Sequence, residues 1–387
     1  MCAVLIAWSP AATLIDGFGQ ARGLLRLRRC QTYQGFVKAR RRLGAGLIAR
    51  LRAHLATLLS AQQDGWTILG WVVFAVDGSR FDAPRTKANL KDLGVGGCDR
   101  GGPQMLTTIL VHMGLGVLWN WRVGRAGKCE RGGGADERGH MRRLAASVPR
   151  GALLVGDAGF IGFEFLRSIT AGGREFLIRL ASNAELIVEL TDRPDVVALW
   201  PKSRQRDTLP LWVRVIRLTD DKGREVVLGT SVLDPVRLTD EQAGVFYRMR
   251  WGVEVSYRSL KQTMDKRKML SAAPMQARLE LHWTLLGFML LGVLTTRRLG
   301  PGLSRAKWSV AAALRAVRRA GGARTRGRAE SELRKLRRAV RTDNTRKSKA
   351  AHDWAHKKRQ RPPGPPKFRP ASDAEHQRLK QLTHAAA

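Results

Sequence analysis

Between residues 67 and 180 the chain alternates short apolar runs with turn signals, and this rhythm limits the fold more than any other feature. TILGWVVFAV (67–76) is a continuous apolar run ending in Asp77-Gly78, which predicts a buried strand entering a turn. QMLTTILVHMG (104–114) and GVLWNWRVG (116–124) predict two more strands joined tightly at Gly114. A glycine loop, Gly132 to Gly134, leads to a helix with Met141, Leu144, Ala145 and Val148 on one face. ALLVG (152–156) reads as a short buried strand ending in Asp157-Ala158-Gly159. A helix from about Gly162 to Thr170 and a fifth strand, EFLIRL (175–180), follow. A hairpin meander feeding βαβ units predicts an α/β fold, a mixed sheet with flanking helices.

Residues 181–238 change character. ELIVEL, LPLWVRVIRL and REVVLGTSVL alternate in polarity, with DDKG as a turn, and predict an antiparallel β insertion. Thr239-Asp240-Glu241-Gln242 is a capping box, so a helix starts at 240 and can run to about Met264. Pro274 is expected to break the chain before an apolar helix over 279–296. The uncharged run from Trp283 to Thr296 is shorter than the ~20 residues a bilayer span needs, which favours a core helix and no membrane. Leu43, Leu47, Leu51, Leu55 and Leu58, interleaved with Arg40, Arg41, Arg42, Arg50 and Arg52, predict a basic amphipathic helix. No Lys or Arg precedes Arg22, so no signal peptide is expected. Three regions result: a basic helical N-terminal segment (1–66), a catalytic-type domain (67–296, interrupted by the insertion 181–238) and a basic, partly disordered C-terminal tail (297–387).

Charge narrows the partner. Lys plus Arg total 69 and Asp plus Glu 32, so the net charge is 69 − 32 = +37. Residues 1–66 carry +8 and residues 297–387 carry +20. Such an excess predicts a polyanionic partner, nucleic acid or an anionic membrane surface, and with no membrane span expected the balance moves to nucleic acid. The segment 342–370, with its RPPGPPKFRP, is polar and basic enough to predict disorder. Four cysteines form no CxxC pair, which argues against a zinc ribbon or a disulfide scaffold and suits a reducing cytosol.

Within the helix beginning at 240, Tyr247, Arg250, Glu254 and Lys261 are spaced by three, four and seven. At ~100° per residue they fall within roughly 60° of one face. An ordinary ion-pair ladder would also place Arg and Glu four apart. Asp77 and Asp157 follow strands, where open α/β sheets hold ligands, although Asp-Gly sequences commonly do no more than make turns. Two strand-end carboxylates and one from a helix can hold two divalent metals for an in-line phosphoryl displacement. A site without His or Cys suits hard Mg2+.

Taken together, VDGSRFDAPRT, GDAGFIGFEFL and YRMRWGVEVSYRSLKQ resemble the DDE transposases of bacterial insertion sequences. The resemblance is closest to the insertion-sequence-four family, whose Tyr-x2-Arg-x3-Glu-x6-Lys signature is matched in full by Tyr247, Arg250, Glu254 and Lys261 over a region of about 70–296. It implies an RNase H-like fold with a β-rich insertion before the helix bearing the Glu. It implies that Asp77, Asp157 and Glu254 are the catalytic, metal-binding triad for Mg2+ (or Mn2+), and that Tyr247, Arg250 and Lys261 contact DNA. It further implies cleavage at transposon ends, attack of the freed 3′-hydroxyl on target DNA, a homodimer in a synaptic complex, and a cytoplasmic, nucleoid-associated bacterial protein. Some members of that family stack a Trp from the insertion on a flipped base, for which Trp200 and Trp212 are the candidates.

Two other readings stay open from sequence: a catalytically inactive or domesticated DNA-binding protein derived from such an element, and another RNase H-like nuclease such as a junction resolvase. His352 and His356, four apart without a third ligand, read as surface residues. Cys98 and Cys129 lie in glycine-rich loops with no His placed beside them.

Overall fold

The computed structural model describes residues 1–25, 32–95, 101–126, 136–221, 223–341 and 364–386. The chain forms two compact units: Met1–Ala152 with Met249–Val340, and Leu153–Arg248 with Arg341–Ala387. In chain order the first unit begins with α1 (Cys2–Trp8), α2 (Leu14–Leu25), α3 (Tyr33–Ser60), β1 (Val73–Asp82), α4 (Lys87–Leu93), β2 (Gln104–His112), β3 (Val117–Arg125) and α5 (Glu137–Ala145). The second unit contributes β4 (Leu153–Gly156), α6 (Phe163–Ala171), β5 (Glu175–Arg179), β6 (Glu185–Val188), β7 (Val196–Leu199), β8 (Leu211–Thr219), β9 (Glu225–Thr230) and most of α7 (Asp240–Met249). The chain returns to the first unit for α8 (Trp251–Arg258), a π-helical turn (Ser259–Thr263), α9 (Pro274–Thr296), α10 (Val310–Gly321) and α11 (Arg326–Arg334). It closes in the second unit with β10 (Lys367–Pro370) and α12 (Asp373–Ala386).

In the first unit β1, β2 and β3 form the expected antiparallel meander. The position of β1 differs from expectation. Ile68 and Trp71 close a tight turn through mutual backbone hydrogen bonds of 2.8 and 2.9 Å, so the strand starts only at Val73. It then passes straight through Asp77-Gly78, where a turn was predicted, because Asp77 and Gly78 pair with Ile109 and Thr108. Pairing with a strand whose residues from Met105 to His112 are all buried outweighs the local turn preference. The turn into β3 needs Gly116, whose φ is +61° and against which the Ala306 carbonyl packs closely.

The first unit is built on α9. Pro274 sits at its first turn and starts the helix instead of interrupting the chain before it, since proline lacks only an N–H that has no partner there. Of its 23 residues, 16 are buried, so a helix long and apolar enough to cross a membrane is here a core helix. The Trp8 indole N–H donates to the Gly287 carbonyl at 2.9 Å and fastens α1 to it. Glu280 is buried, and its two oxygens accept from the Leu270 N–H (2.9 Å), the Ser271 N–H (2.9 Å) and the Ser271 hydroxyl (2.6 Å). Burial holds the Arg40 guanidinium and the Lys266 ammonium below their ordinary pKa ranges, and the Glu280 charge opposes that in both. Residues beyond 297 join this unit: the Trp308 indole donates to Gly116, and Leu336 is fully buried.

The second unit is a mixed sheet in the order β10-β6-β7-β8-β9-β5-β4. The β4–β5 and β10–β6 pairs are parallel and the others antiparallel. The predicted insertion strands therefore extend the sheet that contains β5, through β9. Sequence reading passed over β7, whose four residues are too few to show alternation. The capping box forms as expected: the Gln242 N–H donates to Thr239 Oγ1 and the Thr239 N–H to Gln242 Oε1, each at 3.2 Å. Buried Arg214 on β8 donates to the carbonyls of Val232 and Leu238 and so ties down the approach to α7.

The C-terminal segment departs from the expectation of disorder over 342–370. Residues 364–370 are ordered, and Lys367–Pro370 pair with β6. On α12, Leu379 and Leu382 pack with Trp212 against Ile187, Ala198 and Trp200. Arg369 donates to both oxygens of Glu375 (2.9 and 2.6 Å), a forked ion pair that composition alone does not reveal. It pulls the Glu375 carboxyl down to about 2.

Two outcomes follow. Glu280→Ala leaves three donors, two of them buried, without their acceptor and is expected to cost about 3 kcal/mol in urea denaturation; a loss below about 0.5 kcal/mol would mean that water replaces the carboxylate. The depressed Glu375 pKa gives a contribution present above the ordinary carboxyl range near 4.5 and lost as pH falls through it towards 2. Acid titration followed by amide exchange in α12 is expected to show protection fading in that window, and Glu375→Gln to remove the pH dependence.

Candidate active site

Asp77 lies within β1, part-exposed, and its Oδ1 accepts the Gly78 N–H at 2.8 Å. Alternation along the strand puts Ser79 and Phe81 on the same face as Asp77. α8 and the π-helical turn lie against this strand. The Lys261 ammonium donates to Ser79 Oγ at 2.7 Å and sits 5.1 Å from the centre of the Phe81 ring. Burial lowers the Lys261 pKa, which Asp82 and Asp77 oppose and Arg267 reinforces. Tyr257 is buried, with its hydroxyl 2.6 Å from the Thr107 carbonyl and 3.0 Å from the Asp77 carbonyl. Burial first, and then the charges of Asp77 and Glu137, raise its pKa well above the usual phenol value, so the hydroxyl keeps its proton and acts as a donor.

The four signature residues do not share one regular helical face. α7 ends at Met249, α8 starts at Trp251, and the π-helical turn at 259–263 changes the rotation per residue before Lys261. Tyr247 belongs to the second unit, and Arg250, Glu254 and Lys261 to the first. Arg250 and Glu254 make the four-apart ion pair of an ordinary helix, long at 3.4 Å. Lys261 instead reaches β1.

Asp157 follows β4 as expected and caps a short 3-10 turn (Ala158–Phe160), its Oδ1 accepting the Gly159 N–H at 2.9 Å. The Asn183 amide braces that turn through the Ala158 carbonyl at 2.8 Å. Asp77 and Glu254 thus stand in the first unit and Asp157 in the second. Among the described residues no three carboxylate, imidazole or thiolate groups cluster as a metal site. The donor set of three carboxylates is nonetheless the hard-oxygen chemistry that Mg2+ or Mn2+ takes.

Two neighbours of Asp77 were missed in the sequence. Tyr257 had a signal, since it stands three residues after Glu254 inside the signature run. Glu137, at the start of α5, had none. Its carboxylate lies over Gly78, close enough that a Cβ there would have to push this flexible side chain aside. Trp200 does not suit base stacking. It is buried and its indole donates to the Thr208 carbonyl at 2.8 Å, while Trp212 packs on the same cluster. Trp251 is 52% exposed, three residues before Glu254. His352, His356, Cys98 and Cys129 lie outside the described residues.

Comparison with known proteins agrees with this reading of the sequence. Residues 72–290 match the family model described as "Transposase DDE domain". Over 116 residues the chain is 30% identical to "Transposase InsG for insertion sequence element IS4" of Escherichia coli (strain K12), a match covering 30% of this chain. It spans 25%, a quarter, of that relative's length. Among solved structures it is similar, at a TM-score of 0.39 and 12% identity, to the piggyBac transposase in a cryo-EM synaptic complex with hairpin DNA, over 73% of this chain and 60% of that one. Because the family match takes in more than half of the 387 residues, the chain belongs to the DDE transposase family.

Proposed function

We propose that this protein is the transposase of an insertion sequence, cutting phosphodiesters at its element's ends and joining the freed 3′-hydroxyls to target DNA. The observation that carries the reading is the docking of the signature segment on β1: Lys261 reaches Ser79, two residues beyond Asp77, inside a family match that holds every signature residue. The reading includes an RNase H-like fold for the catalytic region, a homodimer that holds two ends together, and action at the nucleoid in the bacterial cytoplasm.

In this reading Asp77, Asp157 and Glu254 are the residues that would hold divalent cations, Mg2+ or Mn2+, whose chemistry would be to activate the attacking oxygen and stabilise the leaving one. The water oxygen attacks phosphorus in line, the bond to the 3′ oxygen breaks, and a 3′-hydroxyl and a 5′-phosphate result. That hydroxyl later attacks a target phosphodiester in line, joining to the target's 5′-phosphate as the bond to the target's 3′ oxygen breaks and a target 3′-hydroxyl leaves. Arg250 offers a planar fork to the phosphate oxygens and Lys261 a point charge, both only partly exposed, where water screens them less. Tyr247, also part-exposed, donates its hydroxyl to a neighbouring phosphate. Exposed Trp251 offers its ring face to a base beside the cut. The net charge of +37 neutralises the phosphates of both DNA partners.

A duplex carrying the element's own ends tests the reading. The wild-type protein is expected to cut at the ends with Mg2+ and not with EDTA, whereas Asp157→Asn and Glu254→Gln bind the duplex but do not cut it. Tight binding with no cutting by any of the three proteins would favour the catalytically inactive DNA-binding alternative. Trp251→Ala is expected to weaken binding to the ends by about 1–3 kcal/mol, read by fluorescence anisotropy; unchanged affinity would make Trp251 a plain surface aromatic.

A further inference from the structure

We propose that Tyr257 is a positioning residue of the active site, setting the spacing between the Asp77 and Glu254 carboxylates through its hydrogen bonds to the β1 and β2 backbone. The inference rests on the reading of those two acids as metal ligands. The geometry is local to the first unit. Glu254 and Tyr257 are three residues apart on α8, hence neighbours on its surface. The Tyr257 ring is buried, and its hydroxyl sits between two carbonyls on adjacent strands, those of Thr107 (2.6 Å) and Asp77 itself (3.0 Å). The hydroxyl has one proton to share between two acceptors, and both hold it at the same point along β1. One end of α8 is therefore pinned to the very residue whose side chain must meet Glu254.

Two further contacts tighten the same joint. The Lys261 ammonium lies 5.9 Å from the centre of the Tyr257 ring as well as 5.1 Å from that of Phe81, so the phenol is also a wall of the phosphate-gripping side chain's seat. From α5, Glu137 closes over Gly78, the residue after Asp77. Asp77 and its successor are thus held by side chains from two different helices.

The test compares wild type, Tyr257→Phe, and 4-aminophenylalanine incorporated at position 257, which restores an N–H donor at nearly the same reach. Mn2+ binding to the full chain is followed by electron paramagnetic resonance, beside thermal unfolding and Mg2+-dependent end cleavage. Tyr257→Phe is expected to weaken Mn2+ about tenfold, the usual loss when a group that orients a ligand is removed, and to raise the Mg2+ needed for half-maximal cutting similarly. The amino analogue is expected to recover most of both. A variant that melts earlier yet binds Mn2+ within twofold of wild type overturns the inference and leaves Tyr257 a core residue. Should Tyr257→Phe not fold, the amino analogue decides alone: wild-type Mn2+ affinity supports the inference and a tenfold loss in a folded protein overturns it. Failure of the parent reading looks different, because then Asp77→Asn would also leave Mn2+ binding unchanged, and the inference would fall with it.

Discussion

The docking of α8 and its π-helical turn onto β1 is the constraint on which the candidate site depends. Asp77 and Glu254 are 177 positions apart in sequence, with the whole second unit's main segment between them. Without a fixed joint their separation would follow every small shift of a helix over a sheet. Three contacts make the joint: the Tyr257 hydroxyl at the Asp77 and Thr107 carbonyls, the Lys261 ammonium at Ser79, and the Lys261 charge over Phe81. Each uses a polar end group on an otherwise apolar side chain, so the joint is directional where packing alone would let the helix slide.

The same economy governs the rest of a chain with more than two basic residues for each acidic one. Acidic groups are few, and several of them organise structure. Glu280 is sunk beneath the start of α9, where backbone and hydroxyl donors fill its lone pairs while Arg40 and Lys266 share its field. Glu375 locks α12 to β10 through the Arg369 fork. Arg214 works in the other direction, burying a cation whose hydrogens go to two carbonyls and to Asp240. Full hydrogen-bonding is what lets such groups leave water, because a buried charge with unfilled lone pairs or idle hydrogens costs several kcal/mol.

What could be read from the sequence followed from periodicity and capping. The meander, the β4–α6–β5 unit, the antiparallel strands after it and the start of α7 at residue 240 all rest on local signals, and all form. The errors lie where long-range pairing outweighs a local preference. Asp77-Gly78 looks like a turn, but β2 supplies a partner strand, and the Glu137 carboxylate closes over Gly78. RPPGPPKFRP looks disordered, but the edge of β6 takes up its last residues and Arg369 finds Glu375. Of the site residues, the signature spacing pointed to Tyr247, Arg250, Glu254 and Lys261. It could not show that an extra-wide turn would carry Lys261 off the helical stripe and onto Ser79.

That displacement bears on two readings of the spacing, of which the ordinary ladder is the commoner for a helix taken alone. In an ion-pair ladder Lys261 would continue down the stripe from Glu254, and the π-helical turn would serve no purpose. Instead the turn aims the ammonium at the strand bearing Asp77, where Ser79 takes one of its hydrogens and the ring centres of Phe81 and Tyr257 lie 5.1 and 5.9 Å from its nitrogen. Burial there lowers its pKa, a cost that a plain surface lysine would escape. The nearby charges of Asp77 and Asp82 offset it in part. The ammonium is thus held beside the carboxylate-bearing strand, which is what the proposed contact to a phosphate calls for. The Arg250–Glu254 pair is long, at 3.4 Å. In the proposed site, then, the strand bearing Asp77 is fastened by directional contacts from α8 and the π-helical turn, and a contact to a polyanion would build on that fixed strand.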